Sequence, residues 1–181
     1  MGKNLICLLI LLLASNIFLN AQEYVVKEGS ASFKAKTPLI SYEGISNDVK
    51  GTIDFKAGTL TFSVPVKFIK TGNEKRDEHM YQLVEAEKYP NVVFKGKFIS
   101  GFNFKRNGIQ SVQAKGDFSL AGTTRQINIP INLELVSEGT IQLNTSWSLL
   151  ITDYNLERPS FAFIKVKDKH FLRVDVLLKE K

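Results

Sequence analysis

Arg76, Asp77 and His79 sit within one four-residue stretch, and their types suit chemistry. The Asp77 carboxylate and the His79 imidazole can act as acid and base, or supply part of a metal site. The planar, permanently charged guanidinium of Arg76 suits a carboxylate or a phosphate. Little else in the chain extends such a site. There are two histidines, and the second, His170, is remote in sequence, so a three-histidine metal centre is excluded. Ser160 lacks a G-x-S-x-G setting. The one cysteine, Cys7, lies in an N-terminal apolar run, which excludes a disulfide scaffold. The competing role for the triplet is mechanical: Arg76 pairs with a carboxylate and locks its segment onto the fold. We favour that bracing role and expect no catalytic residues, no metal and no cofactor.

Thr71 and Glu74 have the spacing of a capping box, which predicts a short helix over residues 75–83. Tyr89-Pro90 ends that region. Elsewhere the pattern is period two. Leu60, Phe62, Val64 and Val66 alternate with Thr61, Ser63 and Pro65. Val92, Phe94, Gly96 and Phe98 continue the pattern, followed by Val112, Ala114, Gly116, Phe118 and Leu120. Ile127 to Leu135 and Ile141 to Ile151 follow. Shorter runs lie at Tyr24–Lys27, Ser32–Lys36, Gly51–Phe55 and Phe171–Leu178, for about eight or nine strands in all. Short turns with glycine at Gly58, Gly108 and Gly139 make hairpins, so the sheet is antiparallel and meandering. With no long helices to cover it, the sheet must fold over as a sandwich or close as a barrel. Gly96, Ala114 and Gly116 lie between Phe94, Phe98 and Phe118. They either accommodate those rings or leave volume for a ligand.

The N-terminus reads as a secretory signal over residues 1–21. Lys3 is its positive end, Leu5 to Leu13 its apolar run, and Ala21 its small residue at the cut. The run is short for a membrane span. The mature domain is then residues 22–181, free of cysteine, and placed in the periplasm or secreted. The composition of the whole chain, 44% hydrophobic and 23% charged, excludes disorder. The net charge of +6 comes without a basic cluster interleaved with aromatics. It therefore points to weak contact with anionic membrane surfaces rather than to nucleic acid.

Four segments resemble those of the YceI-like lipid/polyisoprenoid-binding family. Thr71 to Met80 is similar to its T-x-N-x-x-R-D-x-H-L stretch, with Met80 for Leu. Tyr89-Pro90 with Phe94 is similar to its Y-P-x-x-x-F. Gly116 to Arg125 is similar to its G-x-L-x-x-x-G-x-T-[RK], and Asp153 to Leu156 to its D-[FY]-G-[IL], with Asn155 for Gly. The resemblance runs from about Tyr24 to Leu178. It implies an all-β fold: an antiparallel, eight-stranded, up-and-down, extended lipocalin-like β-barrel with one or two short helices. It also implies a long apolar tunnel for an isoprenoid or similar amphiphilic lipid.

Such a tunnel suits strands of about nine residues, which extend roughly 30 Å. It would bind by burial, at about 0.8 kcal/mol per CH₂. The candidate lining is Phe33, Phe55, Phe62, Val64, Phe94, Phe98, Phe118, Ile129, Ile131 and Trp147. Phe161 and Phe163 are candidates to close one end. Arg76, Asp77 and His79 are the candidate rim, placed to brace the mouth or to meet a headgroup. The expected function is a periplasmic protein, monomer or homodimer, that sequesters or carries a lipid. The alternatives are an enzyme on a lipid or quinone-like substrate and a structural barrel with a filled core.

Overall fold

A computed structural model describes residues 23–161 and 164–181, without the side chain of Phe161. The strands are β1 (Glu23–Lys36), β2 (Ser41–Ser46), β3 (Lys50–Asp54), β4 (Thr59–Pro65), β5 (Asn91–Phe98), β6 (Gln110–Leu120), β7 (Thr123–Ser137), β8 (Thr140–Leu150), β9 (Ser160–Phe161), β10 (Ile164–Lys165) and β11 (Lys169–Glu180). One helix, α1 (Glu74–Leu83), and two 3-10 turns, Val66–Phe68 and Ile151–Tyr154, complete the described elements. Neighbours pair antiparallel in the order β11-β8-β7-β6-β5-β4-β3-β1, and β11 pairs back to β1. Eight strands thus close a barrel, and β2, paired with β1, is bonded on its other edge through the Ile45–Lys70 bridge.

β1 is a single strand, not the two runs that the alternation suggests. A bulge between Val26 and Glu28 inserts one residue and reverses the inward parity. Gly29, at φ +149, is needed there, because a Cβ would meet the carbonyl oxygen of Asp175 at 2.2 Å. Opposite the bulge, β2 and β3 lie along the same edge of β1 in one continuous register. They are a single strand interrupted at residues 47–49, where Ser46 Oγ accepts from the Asp48 N–H at 3.1 Å.

The barrel has two different ends. One is formed by the hairpin turns at 54–59 and 137–140, the 99–109 loop, and both Glu23 and Glu180. Its interior is dry. Ile53, Leu133, Ile141, Val176 and Leu178 have no solvent exposure. An aromatic plug seals it: Phe55 lies 5.4 Å from Tyr24, 5.7 Å from Phe98 and 5.1 Å from Phe104, and Phe102 lies 4.8 Å from Phe104. Buried Gln110 holds the loop in place. Its amide accepts from the Asn103 N–H at 3.0 Å and donates to the carbonyls of Asn103 and Arg106. The other end carries the β1–β2 turn, α1 and both 3-10 turns, and the β9–β10 hairpin.

Gly96 and Gly116 leave no free volume. A Cβ on Gly96 would meet the Phe94 ring at 2.8 Å, and one on Gly116 would meet Lys95 O at 2.3 Å. The glycines let a ring fold down and two backbones close up, so of the two roles left open for them the structure shows the accommodating one.

Candidate functional site

Inward-facing side chains change character along the barrel. Past the dry half, Ala31 and Phe33 on β1, Phe62 and Val64 on β4, Val92 on β5 and Ile127 on β7 are half-buried. So are Trp147 and Leu149 on β8, and His170, Leu172 and Val174 on β11. This partly exposed, largely apolar inner wall is the candidate site. Register places Phe33 opposite Leu172, Leu172 opposite Trp147, and Leu149 opposite His170. Phe33 crosses to β2, where a Cβ on its partner Gly44 would meet the ring at 2.3 Å. It also stacks on His170 at 5.9 Å.

Of the expected lining, Phe33, Phe62, Val64 and Trp147 stand on this wall. Phe94, Phe118 and Ile129 are buried beside it, and Phe118 packs edge-on against Trp147 and Tyr154. Ile131 is 1% exposed and belongs to the dry half, while Phe55 and Phe98 belong to the aromatic plug. Phe163 and the Phe161 side chain lie outside the described residues. Sequence reasoning missed His170, Leu172 and Val174. The period-two run of β11 carries all three on one face, which was the available signal.

Two polar atoms interrupt the wall. Trp147 Nε1 and His170 Nε2 are shielded from solvent and have no hydrogen-bond partner among the described residues. Their residues are diagonal neighbours on paired strands. Burial holds the His170 imidazole below the usual histidine range, opposed by the charge of Asp168. The ring is therefore biased to its neutral form.

Of the motif residues, Asp77 and Arg76 make contacts at the open end. The helix cap is Asn73, whose side chain accepts from the Arg76 N–H at 3.0 Å, so the capping box expected from Thr71 is corrected. Thr71 instead donates its N–H (2.8 Å) and hydroxyl (2.6 Å) to Asp77, which is 5% exposed. Arg76 lies over the Tyr42 ring at 4.4 Å, and no carboxylate pairs with it among the described residues. The ion pair expected of it is replaced by a cation–π contact. Burial raises the Tyr42 pKa, with the Arg76 charge working against it. His79 is exposed on α1. Tyr89 covers Gly122, where a Cβ would meet its ring at 2.3 Å. Arg125 Nε donates to Asp153 O at 2.8 Å. Asn155 adopts the left-handed conformation at φ +58, as a glycine replacement must, and its amide donates to Thr123.

The geometry is that of known proteins. A polyisoprenoid binding domain from Saccharophagus degradans superposes with a TM-score of 0.76 at 15% identity, over 87% of this chain and 98% of that one. BcnA of Burkholderia cenocepacia gives 0.70 at 13% identity, over 82% and 95%. A YCEI protein of Campylobacter jejuni gives 0.58 at 18% identity, over 87% and 84%. These likenesses establish the fold. No curated protein matches the chain. The sequence model of the YceI-like domain matches residues 24–178, from the first tyrosine of β1 to the last buried leucine of β11, and the chain belongs to that family.

Proposed function

We propose that the open half of the barrel binds the apolar chain of an isoprenoid or another long-chain amphiphilic lipid. The observation that carries this reading is the contrast between sealed and half-buried inward residues on the same strands. A wall of phenylalanine, valine, leucine and tryptophan that stays partly accessible gains most from burial against hydrocarbon. The Saccharophagus degradans domain, described as polyisoprenoid binding, supports the reading through a shared fold. The protein acts as a binding protein rather than an enzyme, since recognition by burial and shape needs no nucleophile, and Asp77 and Arg76 are engaged with Thr71 and Tyr42. Residues 1–21 serve as an export signal, so residues 22–181 work in the periplasm or outside the cell, sequestering or carrying the lipid as a monomer or homodimer.

The test is organic extraction of natively purified protein followed by mass spectrometry. A long-chain lipid recovered from wild type, and reduced in Phe33→Ala and Leu172→Ala, is the expected result. Extracts free of lipid, together with no uptake of added polyprenol, would favour a filled structural barrel. Chemical conversion of the extracted lipid that requires His79 would favour the enzyme reading.

A further inference from the structure

The rim of the open end displays apolar side chains that the barrel does not use. Leu39 is 74% exposed and Ile40 59% exposed in the β1–β2 turn. The turn is held in shape: Thr37 Oγ1 accepts from the N–H groups of Leu39 and Ile40, and the Thr37 N–H donates to Ile40 O at 2.7 Å. Two aliphatic side chains are therefore presented to solvent by an ordered support. Phe171, on the outer face of β11, is 43% exposed, with Lys36 Nζ and Lys169 Nζ at 5.4 and 5.5 Å from its ring centre. The Lys167 N–H donates to Lys36 O at 2.7 Å and lays this segment along the end of β1. Val166 is buried, while Lys165, Lys167 and Lys169 are exposed. The acid among them, Asp168, is occupied by the Thr152 N–H and hydroxyl.

An apolar tip framed by cations matches a surface that is anionic outside and apolar just beneath. We propose that this rim docks on an anionic lipid bilayer. Leu39 and Ile40 enter the interface, and Lys36, Lys167 and Lys169 meet lipid phosphates, which sets the open half of the barrel against the membrane. Neither contribution suffices alone: insertion of two aliphatic side chains is weak, and so is a small basic patch, but together they give reversible attachment. The docking depends on the rim and not on what the barrel contains.

Co-sedimentation with vesicles tests it, using phosphatidylcholine with about 30% phosphatidylglycerol and phosphatidylcholine alone. Every protein is the exported form, residues 22–181, so the N-terminal apolar run adds nothing to the partition. Wild type is expected to partition onto the anionic vesicles about tenfold more than onto the neutral ones. Leu39→Ser/Ile40→Ser, with wild-type circular dichroism and Tm, should lower partition onto both by about tenfold. Lys36→Gln/Lys167→Gln/Lys169→Gln should lower it on the anionic vesicles only, and Ile99→Ser/Ile109→Ser at the other end should leave it unchanged. The proposal is overturned if wild type binds neither vesicle, or if the variant at the other end loses as much binding as the rim variants. It is equally overturned if sedimentation velocity shows a self-associated species that Leu39→Ser/Ile40→Ser disperses, since a second copy of the chain would then cover the rim.

Discussion

On β8 and β11, Ile141, Leu143, Val176 and Leu178 face inward and are sealed from water. A few residues further along the same two strands, Trp147, Leu149, His170 and Leu172 also face inward and are half-buried. Strand geometry and inward alternation are the same in both halves. The difference comes from the connections. At the dry end the 99–109 loop folds Phe102 and Phe104 back onto Tyr24 and Phe55, and Gln110 pins it there. At the open end the connections spend their polar groups on one another and on the start of β7, through Asp77 with Thr71, Asp153 with Arg125, and Asn155 with Thr123. Loops that satisfy themselves at the rim need not enter the barrel. Strands decide which side chains face the interior, and loops decide whether that interior is filled.

The strongest way to break this comparison is to cut equivalent side chains from the two halves. Leu143→Ala, in the sealed half, is expected to cost about 2–5 kcal/mol in urea unfolding, as buried leucines do. Leu172→Ala, on the accessible wall, should cost well under half of that and act mainly on lipid retention. Equal losses of stability would mean that both halves are core and that the contrast has no energetic content.

Asp77→Ala comes next in size. It removes a charged acceptor that two groups of Thr71 share and leaves a backbone N–H unpaired, for about 1–3 kcal/mol. Lipid affinity in the folded fraction should change little, because Asp77 faces the loop. A variant with unchanged Tm and lost lipid would instead make Asp77 a headgroup contact. Arg76→Ala removes only the contact over Tyr42 and should cost about 0.5–1 kcal/mol. A much larger loss of affinity than of stability would give Arg76 the headgroup role rather than the bracing one.

The alternation made most of the barrel legible, because a sheet with one apolar face writes its pleat into the sequence. β2 was not legible. Its inward residues are Tyr42, Gly44 and Ser46, while its aliphatic Ile45 faces out, so its hydrophobic pattern runs opposite to its pleat. The bulge hid the unity of β1 for a related reason, since one extra residue shifts the period out of phase. At the site, Phe33, Phe62, Val64 and Trp147 could be read from parity alone. Parity could not show that Phe55 and Phe98 face a plug, because that depends on Phe102 and Phe104 arriving from a loop without periodicity. The motif around Arg76 was visible as a motif, but its partners were not. Tyr42 is remote in sequence, and Thr71 bonds to Asp77 instead of capping the helix.

The smallest expected effect tests how dry the accessible wall is around His170. Burial lowers its folded pKa below the ordinary value, so the native state favours the neutral ring. The unfolded chain takes up a proton near the usual pKa of about 6.5, before the folded one does. Between the two values the unfolded state binds more protons, so stability rises with pH. The contribution is fully present above about pH 6.5, declines as pH falls through the window beneath it, and levels off below the folded pKa. Asp168 pulls the folded value upward and narrows that window. His170→Phe keeps an aromatic ring against Phe33 and removes the titrating group. Urea unfolding of both proteins between about pH 7 and pH 5 should show wild type losing stability relative to the variant as pH falls. Taking the difference cancels the carboxylates, which titrate in both. Parallel curves would mean that the imidazole takes up its proton as freely when folded as when unfolded. Water would then reach that part of the wall, and the open half would be a wet mouth rather than a site for hydrocarbon.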